Sequence, residues 1–148
     1  MPDRNLEVMV RELVSCFALD RFVRGLFSPL FVVCASLGYL GLLLPRRSFP
    51  DSPGALVWFV LAPFAEELTW RAIMQNELAR LLPGKGPLTR ANLITSLAFA
   101  AAHMLAAPKL MSLLTFFPSL CFGALWSQFR SLWLCCLLHL WYNAALLF

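Results

Sequence analysis

Residues 55–76 read ALVWFVLAPFAEELTWRAIMQN. The run is apolar through Phe64 and then turns polar while still inside one helix-length segment. Helical spacing sorts its ionisable residues. Glu67 and Arg71 are four apart, so they share a face and can pair. Glu66 is five before Arg71, about 140° round a helix turning about 100° per residue, so it points away from that pair. Trp70, four after Glu66, would flank it. Pro63, three before it, removes a backbone donor and invites a kink.

The rest of the chain explains why such a segment exists. Of 148 residues, 60% are hydrophobic and 14% charged, and the mean hydropathy is +0.73. A soluble domain of this size has too much surface to cover with so few charges, which excludes a soluble globule, a disordered tail and a disulfide scaffold. The five cysteines, Cys16, Cys34, Cys121, Cys135 and Cys136, are odd in number, form no CxxC and read as reduced apolar fillers. Apolar runs cover roughly 25–44, 54–81, 91–106, 109–129 and 132–148, separated by turn-rich stretches such as PGKGP at 83–87. In lipid only helices and closed barrels satisfy their backbone groups, and these runs are too long for barrel strands. The expected fold is all-α: a polytopic membrane helix bundle of about five spans.

Residues 1–24 differ. Leu6, Met9, Val10, Leu13 and Phe17 recur at helical spacing, and Glu7 stands four before Arg11. This segment is expected to be an amphipathic interfacial helix. Its acidic residues, Asp3, Glu7, Glu12 and Asp20, argue against a signal peptide. The chain thus divides into 1–24 and a bundle over 25–148, with the polar motifs in 55–148.

The net charge of +4 comes from Arg and Lys at the ends of apolar runs. That is a loop pattern, not a nucleic-acid face, so no nucleic-acid partner is expected. With the N-terminus cytoplasmic, the inner side gathers Arg4, Arg11, Arg21, Arg24, Arg80, Lys85, Arg90 and Arg130. The outer side holds only Arg46, Arg47 and Lys109. The excess predicts an integral, multi-pass protein with its N-terminus inside and its C-terminus outside, in the inner membrane of a bacterial host.

An ionisable residue at a helix centre costs about 2.5–3.5 kcal/mol on insertion, so such residues mark a site. They fall in three places: Glu66, Glu67 and Arg71 in the second run, His103 in the third, and His139 with Asn143 in the fifth. His139 and Asn143 are four apart on one face, as are Phe99 and His103. Lipid excludes these faces, so they converge inside the bundle. A poorly solvated carboxylate can take a proton from water. A His can orient that water, and a second His with an Asn amide can receive an oxyanion. The set suits water attack on an amide carbonyl. No Ser or Cys stands out as a nucleophile.

The three motifs, E-E-x-x-x-R, F-x-x-x-H and H-x-x-x-N, in this order and each within a membrane run, resemble those of the CPBP family, the CAAX-protease and bacteriocin-processing (ABI) intramembrane proteases. The resemblance covers roughly 55–148. It implies a glutamic-type intramembrane endopeptidase without a cofactor, acting on a membrane-anchored protein or peptide. Glu66 and His103 would activate the water, His139 and Asn143 would form the oxyanion hole, and Glu67 and Arg71 would support them. Typical members carry more helices before the first motif. The short chain is similar to the minimal type that processes C-terminal sorting signals (JDVT-CTERM-like).

Two other readings stay open. Glu66, Glu67, His103 and His139, with Cys135 one turn before His139, could ligate zinc as a metalloprotease, although no H-x-x-x-H pair is present. A non-catalytic adaptor or proton-pathway subunit could also use buried Glu and His, but it has no need of Asn143.

Overall fold

The computed structural model describes residues 2–43 and 50–146; Arg46 and Arg47, counted above on the outer side, lie outside them. The chain is helical, with no strand among the described residues. The N-terminal segment forms two helices, α1 (Pro2–Ser15) and α2 (Leu19–Leu26), where one was expected. The break is held by the bundle. The Cys16 carbonyl accepts from Leu132 N at 2.9 Å, and the Phe17 carbonyl accepts from Trp133 Nε1 at 3.2 Å.

The expected first span, 25–44, starts later than its hydropathy suggested. Ser28 precedes Pro29, which disfavours a helical Ser28. The Ser28 hydroxyl instead caps a new helix by accepting from Phe31 N at 3.1 Å. Helix α3 (Pro29–Gly38) continues as a tighter 3-10 stretch, Tyr39–Leu43. Helix α4 (Pro53–Glu67) begins in the same way, with Pro53 at its first position and Ser52 as cap. It runs on as a π segment (Leu68–Gln75) and then α5 (Asn76–Leu81). Helix α6 (Arg90–Ala106) is capped by Thr89. A short α7 (Leu110–Leu113) leads into α8 (Phe116–Phe129), with Pro118 in the first turn, where its missing donor costs little. Helix α9 (Leu132–Ala145) closes the chain.

Helix α9 is the centre of the bundle and packs against α2, α3, α4 and α8. Leu132, Leu134, Cys135 and Leu138 are buried there. Trp141 Nε1 donates to the Ala35 carbonyl at 2.8 Å and the Tyr142 hydroxyl to that of Cys34 at 2.9 Å, which fixes α3. Gly38 leaves room for the Trp141 ring, with which a Cβ would overlap. Helix α6 packs on α8 and on the π segment. All five cysteines are free thiols.

Among the described residues, α7 and α8 taken together, Leu110–Phe129, form the one helical stretch long and apolar enough to cross a membrane alone. Leu19–Leu26 and Pro29–Leu43 reach that length together, bent by 70°, and Leu132–Ala145 is apolar but shorter.

Candidate active site

Glu66 and Glu67 end α4, and the π segment starts at the next residue. In a π turn each N–H reaches back five residues, so the helix widens and residues four apart fall nearly in line. Glu67, Arg71 and Gln75 have this spacing. Arg71 Nε donates to Glu67 Oε2 at 3.1 Å, and both side chains are wholly buried. The other carboxylate oxygen, Glu67 Oε1, accepts from His139 Nδ1 at 2.8 Å. A carboxylate engaged by Arg can only accept, so the His139 proton sits on Nδ1 and Nε2 turns the other way.

That nitrogen faces Glu66. Glu66 Oε2 stands 3.9 Å from His139 Nε2 and 4.0 Å from His103 Nε2. It is buried and, among the described residues, has no hydrogen-bond partner. His103 Nδ1 donates to the Phe99 carbonyl, one turn earlier, at 3.0 Å, so its Nε2 is also left as an acceptor. Three acceptors thus meet at one corner. Gaps of this size are too long for direct hydrogen bonds and wide enough for a water oxygen held off the line between them, with two protons to donate. Phe99 lies against His103 at 4.3 Å between ring centroids, Phe122 stacks on His139 at 4.7 Å, and Trp70 meets Phe99 edge-on at 5.6 Å. The Glu66 and His103 side chains are each 34% exposed and His139 only 8%. The corner is therefore closed behind His139 and open beside Glu66 and His103. Asn143 stands one turn beyond His139 on α9, half-buried, and its amide makes no hydrogen bond among the described residues.

As a donor set for zinc the corner is loose. A tetrahedral zinc with bonds of about 2.0–2.1 Å holds its ligands about 3.4 Å apart. Among the described residues no group of three or more His, Cys, Asp or Glu side chains stands in a metal-holding arrangement. Cys135 is engaged elsewhere, its thiol donating to the Phe122 carbonyl at 3.4 Å.

Two further polar residues, Gln75 and Asn76, are built into the interior. Gln75 is buried against Arg71 and α8, and Asn76 donates to Glu12 Oε2 at 2.9 Å. The four-residue step from Arg71 was the signal for Gln75.

The sequence profile of Rce1-like proteins, described as type II CAAX prenyl endopeptidases, matches residues 49–145. The chain belongs to this family. Rce1-like proteins are membrane proteases, so the chain is a member of a hydrolase family and the resemblance drawn from its three motifs holds at family level. The matched residues contain every side chain placed at the corner, from Glu66 to Asn143. No curated protein and no solved structure matches the chain.

Proposed function

We propose that this Rce1-like chain is a glutamic-type intramembrane endopeptidase that hydrolyses a peptide bond in or next to a membrane segment of a protein substrate, without a metal. The observation that carries the reading is the partnerless Glu66 oxygen facing the Nε2 atoms of both histidines. Glu66 takes a proton from a water oriented by His103 Nε2, and the water oxygen attacks the carbonyl carbon. The developing oxyanion accepts from the Asn143 amide and from His139 Nε2. To donate there while its Nδ1–H is held by Glu67, His139 carries a proton on Nε2 as well at this step. The proton on Glu66 then passes to the departing amine.

The same reading makes the protein multi-pass, with about five spans over 25–148, residues 1–24 at the interface, the N-terminus inside and the C-terminus outside. The faces that α3, α4, α6 and α8 turn outward support immersion in lipid: Val32, Trp58, Leu97 and Phe117 are all more than half exposed. Helix 53–81 fails as an apolar span because it carries Glu66, Glu67 and Arg71, which the bundle interior takes up. The proposed substrate is a membrane-anchored protein of the C-terminal sorting-signal class.

Mass spectrometry of new protein termini tests this in membranes from cells making the natural chain or Glu66→Ala at equal abundance. Termini beside a membrane segment should vanish with the substitution. Identical termini, with a phenotype that survives the substitution, would leave a non-catalytic adaptor. Zinc is the rival suggested by the same three donor atoms. Stoichiometric zinc in purified protein, lost together with activity, would displace the metal-free mechanism.

A further inference from the structure

We infer that Ser119 and Gln75 are positioning residues for His139, acting through Arg71 and Glu67; the inference rests on the proposed role of His139. Two columns of side chains face each other. Glu67 at the end of α4 lines up with Arg71 and Gln75 of the π segment, and on α8 stand Ser119, Gly123 and Ser127, each four residues from the next. Arg71 Nη2 donates to Ser119 Oγ at 2.6 Å and Nη1 to Gln75 Oε1 at 3.1 Å. Gln75 Nε2 donates to the Gly123 carbonyl at 2.9 Å and to Ser127 Oγ at 3.1 Å. With Nε on Glu67, all three guanidinium nitrogens are engaged, so the rigid fork has one orientation.

Gly123 makes the lacing possible. A Cβ there would overlap Asn92 Oδ1 and stand 2.7 Å from Gln75 Oε1. Asn92 brings α6 to the same point, donating to the Leu120 carbonyl at 3.1 Å and accepting from Ser96 at 3.1 Å. The Arg71 guanidinium also lies 5.8 Å from the Phe99 ring and 6.0 Å from that of Phe122, the rings that pack on His103 and His139.

The consequence is directional. Glu67 alone could neutralise Arg71. Ser119 and Gln75 fix where the guanidinium lies, hence where Glu67 presents Oε1, and hence the tilt of the His139 ring whose Nε2 meets the oxyanion. An error of about 1 Å at such a group costs up to about a hundredfold in rate.

The test is a double-mutant cycle in membranes, read as the rate at which Glu66-dependent termini appear and normalised to folded protein. Ser119→Ala should slow cleavage by about tenfold. In a Glu67→Gln background it should cost nothing further, because the link it acts through is already broken. Gln75→Met should follow the same pattern and serves if Ser119→Ala does not fold. An unchanged rate in Ser119→Ala, or an equal loss in both backgrounds, overturns the inference while the catalytic reading stands. The absence of any Glu66-dependent terminus overturns both.

Discussion

Glu66 and Glu67 are chain neighbours with the same side chain, yet they stand in opposite surroundings. Glu67 is sealed: wholly buried, bonded to Arg71 and His139, and backed through Arg71 by Gln75 and Ser119. Glu66 is on the open side, with one oxygen lacking a partner among the described residues and two histidine nitrogens about 4 Å away. The helix makes the difference, since adjacent residues point about 100° apart. One carboxylate can then belong to the fold and the next to the chemistry. A buried ion pair adds little net stability over an apolar core, but breaking it is costly. An unpaired polar atom does the reverse: it costs stability and leaves valence for a substrate or water.

The sharpest way to break this comparison is to remove the sealing cation. Arg71→Met leaves Glu67 buried and uncompensated, and should destabilise the protein by about 3–5 kcal/mol. Thermal unfolding in detergent measures it, and a small loss would mean that Glu67 is not sealed. On the open side, Asn143→Ala should slow cleavage by about 10²–10³-fold and leave the unfolding temperature nearly unchanged. A normal rate would remove Asn143 from the oxyanion site. The packing of the seam is sharpened by Gly123→Ala, whose methyl has to displace Asn92 and Gln75, at about 1–3 kcal/mol.

The smallest effect lies outside both regions. Glu12 on α1 accepts from the Asn76 amide at 2.9 Å and pairs with Arg80 at 2.6 Å. The Asn76 hydrogen bond, and then Arg80, hold its carboxyl below the ordinary value. The folded state therefore binds this proton less readily than the unfolded chain. The contribution is present above the ordinary carboxylate range and lost as pH falls through the lowered value. Protection of the α1 amides, taken as exchange relative to the intrinsic rate at each pH, should fall as the pH drops from neutral through the carboxylate range, modestly because the pair is half-exposed. In Glu12→Gln this component should be flat.

The spacing of 67 and 71, and of 139 and 143, made the pairing and the shared faces legible in the sequence, because four-residue steps survive in any helix. The π segment was not legible. Nothing in LTWRAIMQ announces a wider turn. Ser119, Gly123 and Ser127 carry almost no hydropathy signal in an apolar run, so the column that receives Arg71 and Gln75 was invisible until α8 was seen beside the π segment. The break at Phe27–Ser28 was written in Ser28-Pro29, but the apolar residues on both sides masked it. The number of membrane crossings is hard to read for a related reason: the residues that make a site inside a span also lower its hydropathy.

The most direct measurement compares Glu66→Gln with Glu67→Gln, each for cleavage rate and for unfolding temperature in the same detergent. The account predicts a crossed result. Glu66→Gln abolishes cleavage and leaves the unfolding temperature unchanged or higher. Glu67→Gln lowers the unfolding temperature and slows cleavage without abolishing it. A Glu66→Gln protein that cleaves at the natural rate, or that loses as much stability as Glu67→Gln, would contradict the division of roles between the two glutamates.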